Sequence, residues 1–266
     1  MLPISATNDW RATHPGAVIG LLELSGVDNS RPSPELDEQK RATEARLRER
    51  YMAFTRAEFL SLPVMAAYQK YWFSGICRGS CPSSCTAGGR QCNCRQNWRC
   101  ITPIPNEPKY YKRFTKTYHV LLQLESIVLK GKSLPDVSPL VDANFTAEVD
   151  TLVLTAGHDV AKLVGPVVMD VSREGDQITR MNGAPKDMEA GDMVMRDATG
   201  VVCSIIYGQD NVSPISSATT HVLYVAYAPV GVPPETVEAQ LQKIEENVRL
   251  FCPSTRVEQR RLMAVG

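Results

Sequence analysis

Residues 165–208 read GPVVMDVSREGDQITRMNGAPKDMEAGDMVMRDATGVVCSIIYG. Short apolar runs rich in Val, Ile and Met alternate here with turn residues. PVVMDVS, ITRM, DMVMRD and VVCSIIYG therefore read as strands, punctuated by Gly165, Asn182-Gly183, Gly191 and Thr199-Gly200. HVLYVAYAP, from His221, is a further strand. A run of consecutive strands set between helices fits a largely antiparallel or mixed sheet and not a doubly wound one.

The flanks are helical. After Pro233-Pro234, ETVEAQLQKIEENVRLF is an amphipathic helix, and residues 253–266 are expected to form a frayed polar tail. Upstream, LVLTAGHD is extended, SPLVDANFTAEVDT is a short helix, and HVLLQLESIVLKGK is a helix ending at Gly131. A charged helix is predicted from Pro34 or Glu35 to about Phe54, with another in PVMAAYQKY. HPGAVIGLLELSGV reads as an early strand. Helices, then a run of strands, then a helix make an α+β class with flanking helices.

Residues 72–110 break this pattern. They hold six of the eight cysteines, Cys77, Cys81, Cys85, Cys92, Cys94 and Cys100, with Gly, Pro, Arg and Ser between them. Joining Tyr71 to Tyr111 would restore a continuous helical sequence, so the segment is expected to be a disordered insertion. Zinc is the competing reading, with Cys77, Cys81, Cys94 and Cys100 as candidate ligands. The spacing pairs poorly for a zinc knuckle and no histidine lies inside. No metal or cofactor is otherwise implied. Its arginines allow RNA contact as a third reading.

Composition narrows the class. The chain has 29 basic and 29 acidic residues, which argues against a protein that grips nucleic acid by bulk charge. The start MLPISATNDW has no cationic segment or apolar core, and no long apolar run follows. A cytoplasmic location with no membrane partner is the expectation. Phosphate loops, HExxH, GxSxG and GxGxxG are all missing from the sequence.

The stretch VDANFTAEVDTLVLTAGHDVAKLVG, continued through the strands above to Gln209-Asp210, resembles the B3/B4 region of the phenylalanyl-tRNA synthetase beta subunit. The shared parts are ordered. A Val-Asp start with Asn144 leads to His158-Asp159, then the K-L-x-G turn at Lys162. A Gly191-Asp192 turn, a D-x-x-G-V hairpin from Asp197 and the Gly208 loop follow. Including HPGAVIGLLELSGVDNS, the chain is similar to stand-alone B3/B4 proteins over roughly residues 13–71 and 109–252. The domain organisation implied is one B3/B4-like domain from residues 1–71 and 111–252.

The resemblance implies a tRNA or aminoacyl-tRNA partner, and hydrolysis of mischarged aminoacyl-tRNA in trans. A synthetic pocket cannot strongly reject a near-isostere that adds a hydroxyl, whereas a second pocket can bind that hydroxyl and hydrolyse the ester. The chain is too short for a synthetase catalytic domain. By resemblance, His158 and Asp159 fall in the catalytic position, where a neutral imidazole could orient water or the terminal ribose. Without the resemblance, His158 reads first as a turn histidine bonded to local backbone. Gln209 stands where the synthetase has an acidic residue that selects the substrate side chain, and Asp210 follows it. Val225, Ala226 and Tyr227 on the facing strand, and Asn144 with Asp142, complete the substrate-binding candidates; ordinary core packing is the other reading of each. A relative that binds RNA or a small molecule without catalysis is the alternative function.

Overall fold

The computed structural model describes residues 2–70, 86–87, 90–91 and 110–264. In chain order its elements are β1 (Ile4–Ala6), α1 (Asn8–Thr13), β2 (Val18–Ser25), α2 (Pro34–Tyr51), α3 (Arg56–Ser61) and α4 (Pro63–Lys70). Two-residue strands β3 (Thr86–Ala87) and β4 (Arg90–Gln91) pair with each other. Next come α5 (Tyr110–Arg113), α6 (His119–Val128), α7 (Pro139–Thr151) and β5 (Thr155–Asp159). Strands β6 (Val167–Val171), β7 (Gln177–Thr179), β8 (Pro185–Asp187), β9 (Met193–Asp197), β10 (Gly200–Ser204), β11 (Gly208–Gln209) and β12 (His221–Ala228) follow. Helix α8 (Pro234–Phe251) and strand β13 (Arg256–Ala264) close the chain.

Two sheets carry the fold. One has the order β13-β2-β12-β5, with every neighbouring pair antiparallel. The other has the order β1-β6-β9-β10-β11, parallel only where β1 meets β6. The α+β class with mixed sheets therefore agrees with the reading of residues 165–208. The tail expectation does not. Residues 256–264 form β13, paired along the full length of β2. Its charged side chains point outward while its backbone completes the sheet, and a polar composition does not reveal backbone pairing.

Strand alternation sorts the first sheet into two faces. On one, Tyr224 donates its hydroxyl to Leu140 O of α7 at 2.8 Å, and Gln240 of α8 donates to Thr155 Oγ1 at 3.0 Å. This face packs on helices. The other face meets the second sheet and the N-terminal strand. There Glu23, fully buried, accepts from Leu2 N at 2.9 Å and from Gln259 Nε2, and contacts His221 Nε2 at 2.9 Å. Strands β2 and β12 are buried along nearly their whole length because both faces are covered.

Gly20 sets the spacing between β2 and α8. A Cβ there would lie 2.7 Å from Val237 Cγ1 and 3.2 Å from both Ala226 Cβ and Leu241 Cδ1. Gly20→Val should cost about 2 kcal/mol through overpacking, despite the better strand propensity of valine. Urea unfolding would measure it; a midpoint equal to the parent's would show that α8 yields freely.

Helix α7 ends on Leu152, whose φ of 65° turns the chain into β5. Tyr118 holds that turn by donating to Leu152 O at 2.7 Å, and Tyr68 stacks on Tyr118 with ring centroids 4.0 Å apart. Leu154 N donates to the Tyr68 hydroxyl at 3.1 Å, and that hydroxyl donates to Tyr227 O. This tyrosine pair fixes where β5 begins, and hence where His158 lies. Among the described residues no helix is long and apolar enough to cross a membrane.

Candidate functional site

Strand β5 is one edge of the first sheet, and the chain after β11 returns along it. His158 bridges Pro214, and Asp159 N donates to Ser213 O at 2.8 Å. Gly157 permits this close return. A Cβ there would sit 2.6 Å from Ile215 Cδ1 and 3.1 Å from the Tyr224 ring.

Four side chains meet at this edge. His158 Nδ1 is 2.8 Å from Ser213 Oγ and 3.0 Å from Gln209 Nε2. Gln209 Nε2 also donates to Gly157 O at 2.8 Å, which orients its amide group. Ser213 donates both its hydroxyl, at 2.6 Å, and its backbone N–H, at 3.0 Å, to Asp210 Oδ1. His158 has no exposed surface, and its Nε2 has no hydrogen-bond partner among the described residues. Burial pulls its imidazole down to about 3, opposed by the charge of Asp197, so the ring is neutral at physiological pH.

Asp159 stands beside this group in a structural role. Its Oδ2 accepts from Thr219 Oγ1 at 2.9 Å and its Oδ1 from Ala161 N at 3.1 Å, capping the 3-10 turn at Val160–Lys162. Lys162 Nζ is 3.7 Å from Asp159 and donates to Pro214 O at 2.9 Å, tying the turn to the returning chain.

The remaining candidates separate by face. Val225 and Tyr227 share the face of His158, since Leu223 is the residue paired with it. Both are buried, and Tyr227 lies against Cys203, whose thiol is pushed up to about 12 by burial. Ala226 points the other way, toward Gly20 and α8. Asn144 belongs to the helix side too: its Nδ2 donates to Thr155 O at 3.0 Å. Asp142 caps a loop, accepting from Val137 N at 3.0 Å and pairing with Lys40 at 3.2 Å. Ala226, Asn144 and Asp142 are thus not brought to His158. A period-2 strand sends neighbours to opposite faces, which a run of three consecutive residues overlooks.

Ser213 was absent from the sequence candidates although it joins His158 to Asp210. The available signal was Asp210-x-x-Ser213, a spacing at which an aspartate accepts from the backbone three residues on.

The cysteines proposed for zinc lie outside the described residues, whereas Cys203 and Cys252 are free and buried. Among the described residues, Asp37, Asp136 and Asp142 approach closely enough to hold a cation. Lys40 already supplies the charge, hydrogen-bonding to Asp136 and Asp142.

A family model described as "B3/4 domain" matches residues 107–252. No curated protein matches the sequence. Among solved structures, an N-terminal fragment of the phenylalanyl-tRNA synthetase beta-subunit from Pyrococcus horikoshii matches with 7% identity and a TM-score of 0.43. The alignment covers 96% of this chain and 50% of that one, so the chain spans half the length of that fragment. At this identity and score, no residue role transfers from it.

Proposed function

The chain belongs to the B3/4 domain family, and from that premise we propose that it binds the aminoacyl end of tRNA at the edge formed by β5, β11 and the 210–214 loop. The observation that carries the reading is the single network of His158, Gln209, Ser213 and Asp210. Gln209 is partly exposed where His158 is not, which supports it as the member that meets a ligand. Its amide carbonyl is left to accept while its NH₂ is held by Gly157 O. With 29 charges of each sign, recognition rests on this pocket-edge chemistry more than on bulk attraction to phosphates.

Hydrolysis of mischarged aminoacyl-tRNA in trans is the second reading. The Nε2 of His158, which has no partner among the described residues, favours it. An ester is already activated, and a neutral imidazole that orients one water is enough to assist its hydrolysis. Against it, His158 has no exposed surface, which suits a ring that shapes the loop from behind.

One experiment separates the two. The protein is mixed with tRNA carrying a mismatched amino acid, and both retention and ester loss are followed. The binding reading expects retention of aminoacyl-tRNA over uncharged tRNA, weakened about tenfold or more by Gln209→Ala. The hydrolytic reading expects ester loss above the spontaneous rate, falling about 100-fold in His158→Ala. Equal retention of charged and uncharged tRNA, with ester loss at the spontaneous rate, would sink both.

A further inference from the structure

Two neighbours compete for Nδ1 of His158, and they demand opposite protonation. Gln209 Nε2, 3.0 Å away, can only donate, which asks Nδ1 to be a bare acceptor. Ser213 Oγ, 2.8 Å away, can do either. What decides is where the serine proton goes. Asp210 Oδ1 already accepts the Ser213 backbone N–H, so it is an acceptor oxygen, and it lies 2.6 Å from Ser213 Oγ. The serine has one proton and gives it to that carboxyl oxygen, the stronger acceptor. Its oxygen is then left to accept, and the partner that can donate is Nδ1–H. The second Gln209 proton has its own outlet, since Ser213 Oγ lies 3.5 Å from Nε2.

We infer that Ser213 is a positioning residue that, with Asp210, holds His158 as the Nδ1–H tautomer and so leaves Nε2 as a buried, unprotonated acceptor. Among the described residues, Nε2 is the ring atom without a hydrogen-bond partner. In this tautomer it accepts a hydrogen bond from a water or from a substrate hydroxyl; in the other it would only donate. The inference concerns the free protein. Its use in ester hydrolysis rests on the second reading above.

The tautomer is read directly by ¹⁵N NMR of the imidazole nitrogens in the full chain at neutral pH. With 4 histidines in the sequence, His158→Gln identifies the signals by difference. The parent should show a protonated, pyrrole-type Nδ1 and a pyridine-type Nε2. Ser213→Ala removes the acceptor and leaves Gln209 as a donor, so the two nitrogens should exchange types. Ser213→Thr keeps the hydroxyl and should restore the parental pattern. A parental Nε2–H would overturn the inference without any variant, as would a Ser213→Ala spectrum unchanged from the parent. A mere packing role for Ser213 would not exchange the nitrogens. Because no tRNA is present, the inference stands or fails separately from the deacylation assay. If hydrolysis is found, Ser213→Ala should lower kcat at least tenfold with KM little changed.

Discussion

Glu148→Gln should gain roughly 3–4 kcal/mol of stability on the parent protein as pH rises from about 5 to about 8. Glu148 lies on the buried side of α7, and burial pushes its carboxyl up to about 8 from an ordinary 4.5. Hydrogen bonds from Thr155 N, at 2.8 Å, and from Gln123 oppose the shift without cancelling it. Below the ordinary value, folded and unfolded chains both hold the proton. As pH rises past it, the unfolded chain ionises and the folded one does not, so stability falls until the folded carboxyl also ionises near 8. At about 1.4 kcal/mol per pH unit this amounts to roughly 4 kcal/mol. The amide in Glu148→Gln still accepts from Thr155 N and does not titrate.

The comparison must be made as a difference between variant and parent. Burial pulls His14 and His158 down to about 3, and those groups act in the opposite sense. Their folded values are depressed, so they take stability away as pH falls below the unfolded value of 6.5. Asp192 acts with Glu148. Burial pushes it up to about 7, against hydrogen bonds from Ser204 and Tyr110. Urea unfolding of parent and Glu148→Gln at about pH 5 and about pH 8 gives four free energies. The variant's advantage should grow by roughly 3–4 kcal/mol from the acid to the alkaline condition. A constant difference would mean that Glu148 is ionised in the folded protein throughout.

These buried ionisable groups mark where sequence reading stops. The strands in residues 165–208 were legible because apolar runs and glycine turns carry their own period, and the structure has them at β6, β7, β9 and β10. The helix read from Pro34 or Glu35 is α2, which Ser33 caps by accepting from Leu36 N at 3.1 Å. The short elements β1, α1, α3 and β8 were not legible. Each is too brief to show a period, and β1 exists because β6 offers it a parallel edge. At the candidate site, resemblance pointed to His158, Gln209 and Asp210, and these do converge. Asn144 and Ala226 do not, because side-chain direction depends on strand pairing and helix placement, which is long-range information. The local Asp210-x-x-Ser213 spacing shows Ser213 bonded to Asp210 but not its contact with His158. Ser213 touches His158 across 55 residues of sequence.

The C-terminal strand shows the largest consequence of that long-range information. A chain ending after Cys252 loses the whole β13–β2 ladder. At about 0.5–1.5 kcal/mol per hydrogen bond this should cost about 4 kcal/mol or more. The truncated chain should also aggregate on warming, although the removed segment was expected to fray. Without β13, strand β2 becomes an edge, and its eight residues VIGLLELS are all buried in the intact protein. An apolar edge with free N–H and C=O groups is a template for pairing between copies. Side chains compound the loss. Gln259 donates to Glu23 and, at 3.1 Å, to Leu2 O; Arg261 donates to Ile4 O at 2.9 Å. Their removal takes from the fully buried Glu23 one of its donors and loosens β1. Arg260 bridges β13 to α8 through Glu238 and Glu245 at 3.0 and 3.1 Å, but those pairs are partly exposed and contribute little. Gln259→Leu separates the effects. It keeps the backbone ladder and removes the donor, so it should cost about 1–3 kcal/mol without aggregation. Thermal melts with light scattering on parent, truncation and Gln259→Leu test this order. A truncated chain that melts with the parent and stays monomeric would show that β2 is protected by its own side chains.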